Sequence, residues 1–299
     1  MPQIVRQEDA TAKTQRAPSI TWRSLRLRGF TLPSRPRRFD WLWLANGPFL
    51  LFLILPPVAL LSRVSGDQLL ATMAQDEVVR AINLSLSTAS TSVLITIIFG
   101  TPLAYLMARR TFRLKRVLDT LIDLPTVLPP AVAGVALLLA FGRRGIVGSL
   151  LEDWGLSIAF TQTAVVIAQT FISAPLYIKS AIVGFTAVER EFEQSATLDG
   201  AGSWAVFRLI TVPLAWPALL SGAVLAWARA LGEFGATIIF AGNYPGRTQT
   251  MPLAIYIGFE LDLDVALTLS VILITSSFLV LIVVKGLLQR RPVEADQGA

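Results

Sequence analysis

The sequence predicts an all-α integral membrane protein with about six transmembrane helices. Three observations carry this: scarce charge, long apolar runs, and basic residues gathered between the runs. Of the 299 residues, 54% are hydrophobic and 15% charged, against about 25% charged in an ordinary soluble domain, and the mean hydropathy is +0.62. A helix needs about 20 apolar residues to cross the hydrocarbon at 1.5 Å per residue. Six runs meet that requirement: Leu42–Leu61, Ala81–Met107, Val117–Phe141, Ser157–Ala181, Leu214–Phe240 and Val265–Leu287. There is no Cys and no His, which excludes disulfides, thiol nucleophiles, imidazole bases and nearly all zinc sites.

Residues 1–40 precede the first run. They carry Arg6, Lys13, Arg16, Arg23, Arg26, Arg28, Arg35, Arg37 and Arg38 with Pro18, Pro33 and Pro36, and read as a basic, mostly disordered cytoplasmic tail. A secretory signal would need an apolar region directly behind a short basic one. Residues 41–80 hold the first span, opened by Trp41 and Trp43 as interfacial anchors, and an external loop. Residues 81–287 form the membrane core and 288–299 a C-terminal tail. Arg109, Arg110, Arg113, Lys115 and Arg116, together with Lys285, Arg290 and Arg291, share the side of the N-terminal tail when six spans are threaded. By the positive-inside rule that side is the cytoplasm. The same rule accounts for the net charge of +6 without a nucleic-acid partner. Arg143 and Arg144 fall outside, a mild violation.

In the third span Pro125, Pro129 and Pro130 each remove a backbone donor. Such breaks are tolerated where the freed groups are buried in protein or face water, so they mark either a translocation pathway or a simple kink. Asp123, near the start of that span, reads as isolated and interfacial.

The segment Val183–Val212 is too patterned for a plain connector. Thr186 and Glu189 have the spacing of a capping box. Val188, Phe192, Ser195 and Ala196 share a helical face, with Glu189, Arg190, Glu191 and Glu193 largely off it. Gly200 and Gly202 end the helix, Trp204–Ile210 can restart it, and Pro213 suits the first turn of the next span. Amphipathicity alone is compatible with a helix lying in the headgroups or with a docking element.

In the fifth span Arg229 and Glu233 are four residues apart and can pair. An unpaired charge there costs about 2.5–3.5 kcal/mol. They form either a structural ion pair or a pair lining an anion path. No P-loop is present: Lys13 and Lys179 are followed by Thr and Ser but preceded by Ala12 and Ile178, where nucleotide binding requires Gly-Lys-Ser/Thr.

The run Gln194-Ser195-Ala196-Thr197-Leu198-Asp199-Gly200, followed after nine residues by Ile210-Thr211-Val212-Pro213, resembles the EAA motif of ABC importer permeases. That motif reads Glu-Ala-Ala, three residues, Gly, nine residues, Ile, one residue, Leu-Pro. Gln194 stands where the family has Glu, with Glu193 one residue earlier, and Val212 replaces Leu. The stretch Ala228–Ala236 is similar to the molybdate and sulfate branch, the segment Ala241–Tyr256 and Leu124–Pro130 resemble the molybdate-type permeases more closely, and the likeness extends over about 81–287.

The resemblance implies a type I ABC importer fold. Its coupling helix, carried by Glu193, Gln194, Ser195, Ala196, Gly200, Ala201, Ile210 and Pro213, docks on a cytoplasmic ATPase. It implies a permease, not an enzyme, in a bacterial inner membrane with both termini cytoplasmic. The partners would be a second copy of the chain, two ABC ATPase subunits that use ATP and Mg, and an extracytoplasmic oxyanion-binding protein. This chain itself would bind no cofactor. The cargo would be molybdate, with sulfate, thiosulfate or tungstate as alternatives. An ion-coupled secondary transporter is the competing class. It would work without an ATPase, and no inverted repeat is visible to favour it.

Overall fold

In the computed structural model, residues 41–289 are described. They form α1 (Trp41–Arg63), α2 (Gly66–Met73), α3 (Asp76–Arg109), α4 (Lys115–Val127), α5 (Pro130–Phe141), α6 (Gly148–Glu152), α7 (Gln162–Ala187) and α8 (Arg190–Leu198). A short α9 (Ser203–Val206) then runs through one π-helical turn (Phe207–Thr211) into α10 (Val212–Leu231). The chain continues as α11 (Gly235–Phe240), α12 (Met251–Leu261) and α13 (Leu263–Gln289). No strand occurs among the described residues. Two contact units divide the chain, Met1–Leu51 and Phe52–Ala299. The first is described only over the opening residues of α1, and the second holds α2 to α13. The expected tails at 1–40 and 290–299 lie outside the described residues.

Five helices are long and apolar enough to cross a membrane, or six when α4 and α5, bent by 116° at their break, are counted as one span. The centre of the bundle is α3, α7 and α10. Between α3 and α7 the contacts advance together: Thr170 Oγ1 donates to Ser92 Oγ at 3.0 Å, Thr101 meets Tyr177, and Arg109 donates to the Val188 carbonyl at 3.0 Å. The two helices are therefore parallel, and the chain between them must cross the membrane once. Between α7 and α10 the contacts run oppositely. A Cβ on Gly184 would sit 2.6 Å from Ala218 Cβ, and one on Gly222 would sit 2.7 Å from Ser180 Cβ. Ser180 Oγ donates to the Ala218 carbonyl at 2.7 Å. Without a hydrophobic effect between helices in lipid, such small-residue contact and interhelical hydrogen bonding hold the bundle together.

Several expectations are corrected. The third span, expected as one run over Val117–Phe141, is broken. Pro129 drives Leu128 into extended backbone (φ −68°, ψ 132°) and Pro130 takes the first turn of α5, the position where a missing N–H costs nothing. The fourth span is not Ser157–Ala181: Thr161 caps it, accepting from Ala164 N at 3.4 Å, and it runs to Ala187. The fifth does not reach Phe240 as one helix; it stops at Leu231 and resumes at Gly235. Pro213 does not open a span but lies inside continuous helix. The preceding π turn, with Val212 N donating to the Phe207 carbonyl, takes up the mismatch around the donor that Pro213 lacks.

Candidate functional site

At the end of the bundle where α3 and α7 terminate, α8 lies across the helix ends. Its start is not the expected capping box. Thr186 remains in α7, its Oγ1 donating to the Ile182 carbonyl at 2.7 Å, and Glu189 is the N-cap without a side-chain bond. Its end is a Schellman motif: Ala201 N donates to the Ala196 carbonyl at 2.9 Å and Gly200 N to the Thr197 carbonyl at 3.1 Å. Gly200 has φ +91° with nothing within 4 Å of an added Cβ. In the isolated chain glycine is thus required for backbone conformation, not for space.

The acidic residues are not all turned outward, as the helical projection suggested. Glu193 points into the protein. Its Oε1 accepts from Arg109 Nη2 at 2.8 Å and from Thr211 Oγ1 at 2.7 Å. The side chains of Arg109 and Glu193 are 10% and 16% exposed, and Thr211 is fully buried. One carboxylate therefore ties α8 to the last turn of α3 and to the π turn. Arg109 is also well placed at the negative end of the α3 dipole. Beneath this tie, Tyr105 stacks edge-on against Phe185 and Phe207, with centroids 5.6 and 5.0 Å away, and Trp204 stacks on Phe207 at 5.6 Å. Neither the Arg109 partner nor this aromatic cluster is evident in the sequence pattern; the aromatic residues at 105, 185, 204 and 207 are its only visible trace.

Gln194 makes no such tie. It lines, with Tyr105, Arg109, Arg190, Glu193 and Thr197, an open cleft of about 550 Å³. Ser195 and Gly200 are exposed, while Ala196, Ala201 and Ile210 are half-buried. The outward side of the segment shows large apolar groups: Phe192 at 53%, Leu198 at 88% and Trp204 at 70% exposure. Three large apolar side chains this exposed within thirteen residues are surface a partner can cover.

The second group of candidates lies where two helix breaks meet. Pro125 is buried in α4, and Pro129 and Pro130 form the α4–α5 break. A Cβ on Gly235 would sit 2.7 Å from Pro130 Cβ, and one on Gly134 would sit 2.8 Å from the Ala236 carbonyl. The α4–α5 break thus packs on the α10–α11 break. Glu233 occupies the latter with 1% exposure. Its Oε2 accepts from Arg229 Nη1 at 2.7 Å and its Oε1 from Ala236 N at 2.8 Å, which satisfies the start of α11. The carboxylate is fully engaged, whereas the Arg229 side chain stays 37% exposed.

Asp123 is not isolated. Lys179 Nζ on α7 bridges Asp119 at 2.6 Å and Asp123 at 2.9 Å on α4, all three half-exposed.

Residues 100–292 match a family described as binding-protein-dependent transport system inner membrane component. The molybdenum transport system permease protein ModB of Mycobacterium bovis is 41% identical over 256 residues, covering 86% of this chain and 96% of that protein. The ModB protein of Escherichia coli strain K12 is 46% identical over 178 residues, 59% of this chain and 78% of that one. The crystal structure of a bacterial alginate ABC transporter in complex with an alginate pentasaccharide-bound periplasmic protein contains a chain of similar fold. Its TM-score is 0.65 at 18% identity, with 84% of this chain and 95% of that one covered.

Proposed function

The chain belongs to the family of inner membrane components of binding-protein-dependent transport systems, and from that premise we propose that it is the permease of an ATP-driven importer of molybdate. Two copies form the pathway, two cytoplasmic ABC ATPase subunits drive it with ATP and Mg, and an extracytoplasmic binding protein delivers the oxyanion. The chain performs no hydrolysis and holds no cofactor of its own. The N-terminus, the C-terminus and α8 face the cytoplasm. This side holds Arg109, Arg110, Arg113, Lys115 and Arg116, as the positive-inside rule requires.

The observation that carries this reading is the construction of α8. It is closed by Gly200, tied inward by Glu193, and presents Phe192, Leu198 and Trp204 outward. An inward anchor with an outward apolar face is what a helix needs to pass a partner's movement to the bundle. Glu193 is the anchor; Gln194, Ser195 and Gly200 border the docking face; Ala196, Ala201, Ile210 and Pro213 link it to α10. Arg229, Pro125, Pro129 and Pro130 flank the pathway, where non-helical backbone is tolerated at membrane depth. The molybdate assignment takes its support from relatives that carry molybdenum transport in their names.

The test is uptake into proteoliposomes containing the permease, its ATPase and its binding protein. We expect ATP-dependent accumulation of molybdate that excess sulfate does not abolish. Accumulation of sulfate in preference to molybdate would reassign the cargo. Uptake without ATP or ATPase, driven by an ion gradient, would overturn the importer class.

A further inference from the structure

One exposed stripe of α3 runs through Arg80, Asn83, Ser87, Ser90, Leu94 and Ile98, at the 3–4-residue spacing of a single helical face. Its chemistry changes midway. Arg80 to Ser90 are polar, whereas Leu94, Ile98, Phe99 and Leu106 are apolar and exposed. A uniform lipid-facing helix would not change there. The apolar part from Leu94 to Leu106 covers only about 18 Å at 1.5 Å per residue, against about 30 Å of hydrocarbon. Counting about 20 residues back from Leu106 brings Ser87 and Ser90 within the depth of the hydrocarbon. Polar groups at that depth face water or protein rather than lipid.

Arg80, Asn83, Ser87 and Ser90 line a cleft of about 630 Å³ whose wall is completed by Leu84 and Leu86 of the same helix, by Gln162 at the start of α7 and by Gly246. Gly246, at φ +71°, lies so close that an added Cβ would be 3.6 Å from Arg80. Trp227 Nε1 donates to Ser90 Oγ at 3.3 Å, which fills an acceptor position and leaves the Ser90 hydroxyl able to donate. Asp76 takes part of the Arg80 charge only weakly, at 3.5 Å with the two side chains 63% and 87% exposed.

We infer, building on the permease reading, that this cleft is the receiving site for the oxyanion at the outer mouth of the pathway. Arg80 supplies the one charge-assisted contact; Asn83, Ser90 and Gln162 supply neutral donors that replace part of the anion's water, while Ser87, whose hydroxyl donates to the Leu84 carbonyl at 3.0 Å, lines the cleft between them. A single cation with neutral donors binds loosely, as conduction requires: favourable enough to enter, weak enough to leave.

The chain contains no cysteine, so Ser87→Cys in the full transporter introduces a unique target in this subunit. The probes are an anionic and a cationic thiosulfonate reagent, applied to sealed vesicles from outside, with and without sodium molybdate. The anionic reagent should react faster, and millimolar molybdate should slow it. Adding Arg80→Ala should lower the anionic-to-cationic rate ratio about fourfold, about twofold for each reagent when a unit charge two helical turns away, about 10 Å, is removed in a water-like dielectric. Asn83→Cys should behave in the same way. An unreactive thiol at both positions, a rate indifferent to molybdate, or a ratio unchanged by Arg80→Ala would each overturn the site. Uptake by the unsubstituted transporter is measured in matched vesicles prepared in parallel. Absence of molybdate uptake there condemns the permease reading, whereas normal uptake with indifferent labelling condemns only the receiving site.

Discussion

Replacing Glu193 by Ala should uncouple ATP hydrolysis from transport. Arg109 and Glu193 are 10% and 16% exposed at 2.8 Å, and Thr211, fully buried, has its hydroxyl on the same carboxylate oxygen. Removing one member of a buried pair costs roughly 3–5 kcal/mol because the other charge is left uncompensated. The residual exposure favours the lower end, about 3 kcal/mol, or roughly a hundredfold in the balance between anchored and released α8. Glu193→Gln keeps an acceptor for Thr211 and loses only the charge, so its loss should be about half as large. Arg109→Met with Glu193→Leu removes both charges together and should recover most of the stability. The assay is a double-mutant cycle read by thermal inactivation of the purified transporter and by ATP hydrolysed per oxyanion imported. The singles should waste ATP and the double should waste less than their sum. Additive losses in both readings, or a Glu193→Ala transporter with normal coupling, would refute the anchor.

Gly200→Ala and Gly200→Leu should lower uptake alike at normal membrane levels, since the left-handed conformation costs about 1–2 kcal/mol for any side chain and nothing lies within 4 Å; unaltered uptake in both would remove the role of the Schellman turn. Gly222→Val should deplete folded protein, because its Cβ would sit 2.7 Å from Ser180 Cβ, and Ser180→Gly should partly rescue Gly222→Ala; thermal stability in detergent checks both. At the α10–α11 break Glu233→Ala should cost more than Arg229→Ala, because Glu233 is 1% exposed and also holds Ala236 N. Their cycle should be non-additive, and equal single losses in folded yield would argue against the second bond.

Much of this architecture is written in local pattern. Apolar run length places α1, α3 and α13, because the hydrocarbon sets one length scale. Gly200 at the end of an amphipathic stretch identifies α8, because few residues other than Gly tolerate φ +91°. Arg229 and Glu233 can be paired by counting, since residues four apart on a helix are neighbours. What the tertiary structure decided is everything that joins distant positions. Glu193 faces inward because Arg109, 84 residues away, meets it there. Asp123 has a partner because α7 brings Lys179 alongside. The prolines at 129 and 130 announce a break but not its 116° angle, which reflects how α5 packs on α11 where the chain has no side-chain bulk at Gly134 and Gly235. The end of α7 at Ala187 and the π turn before Pro213 have no signal in local pattern either. Local propensity leaves such boundaries nearly degenerate, and a few interhelical contacts then choose among them.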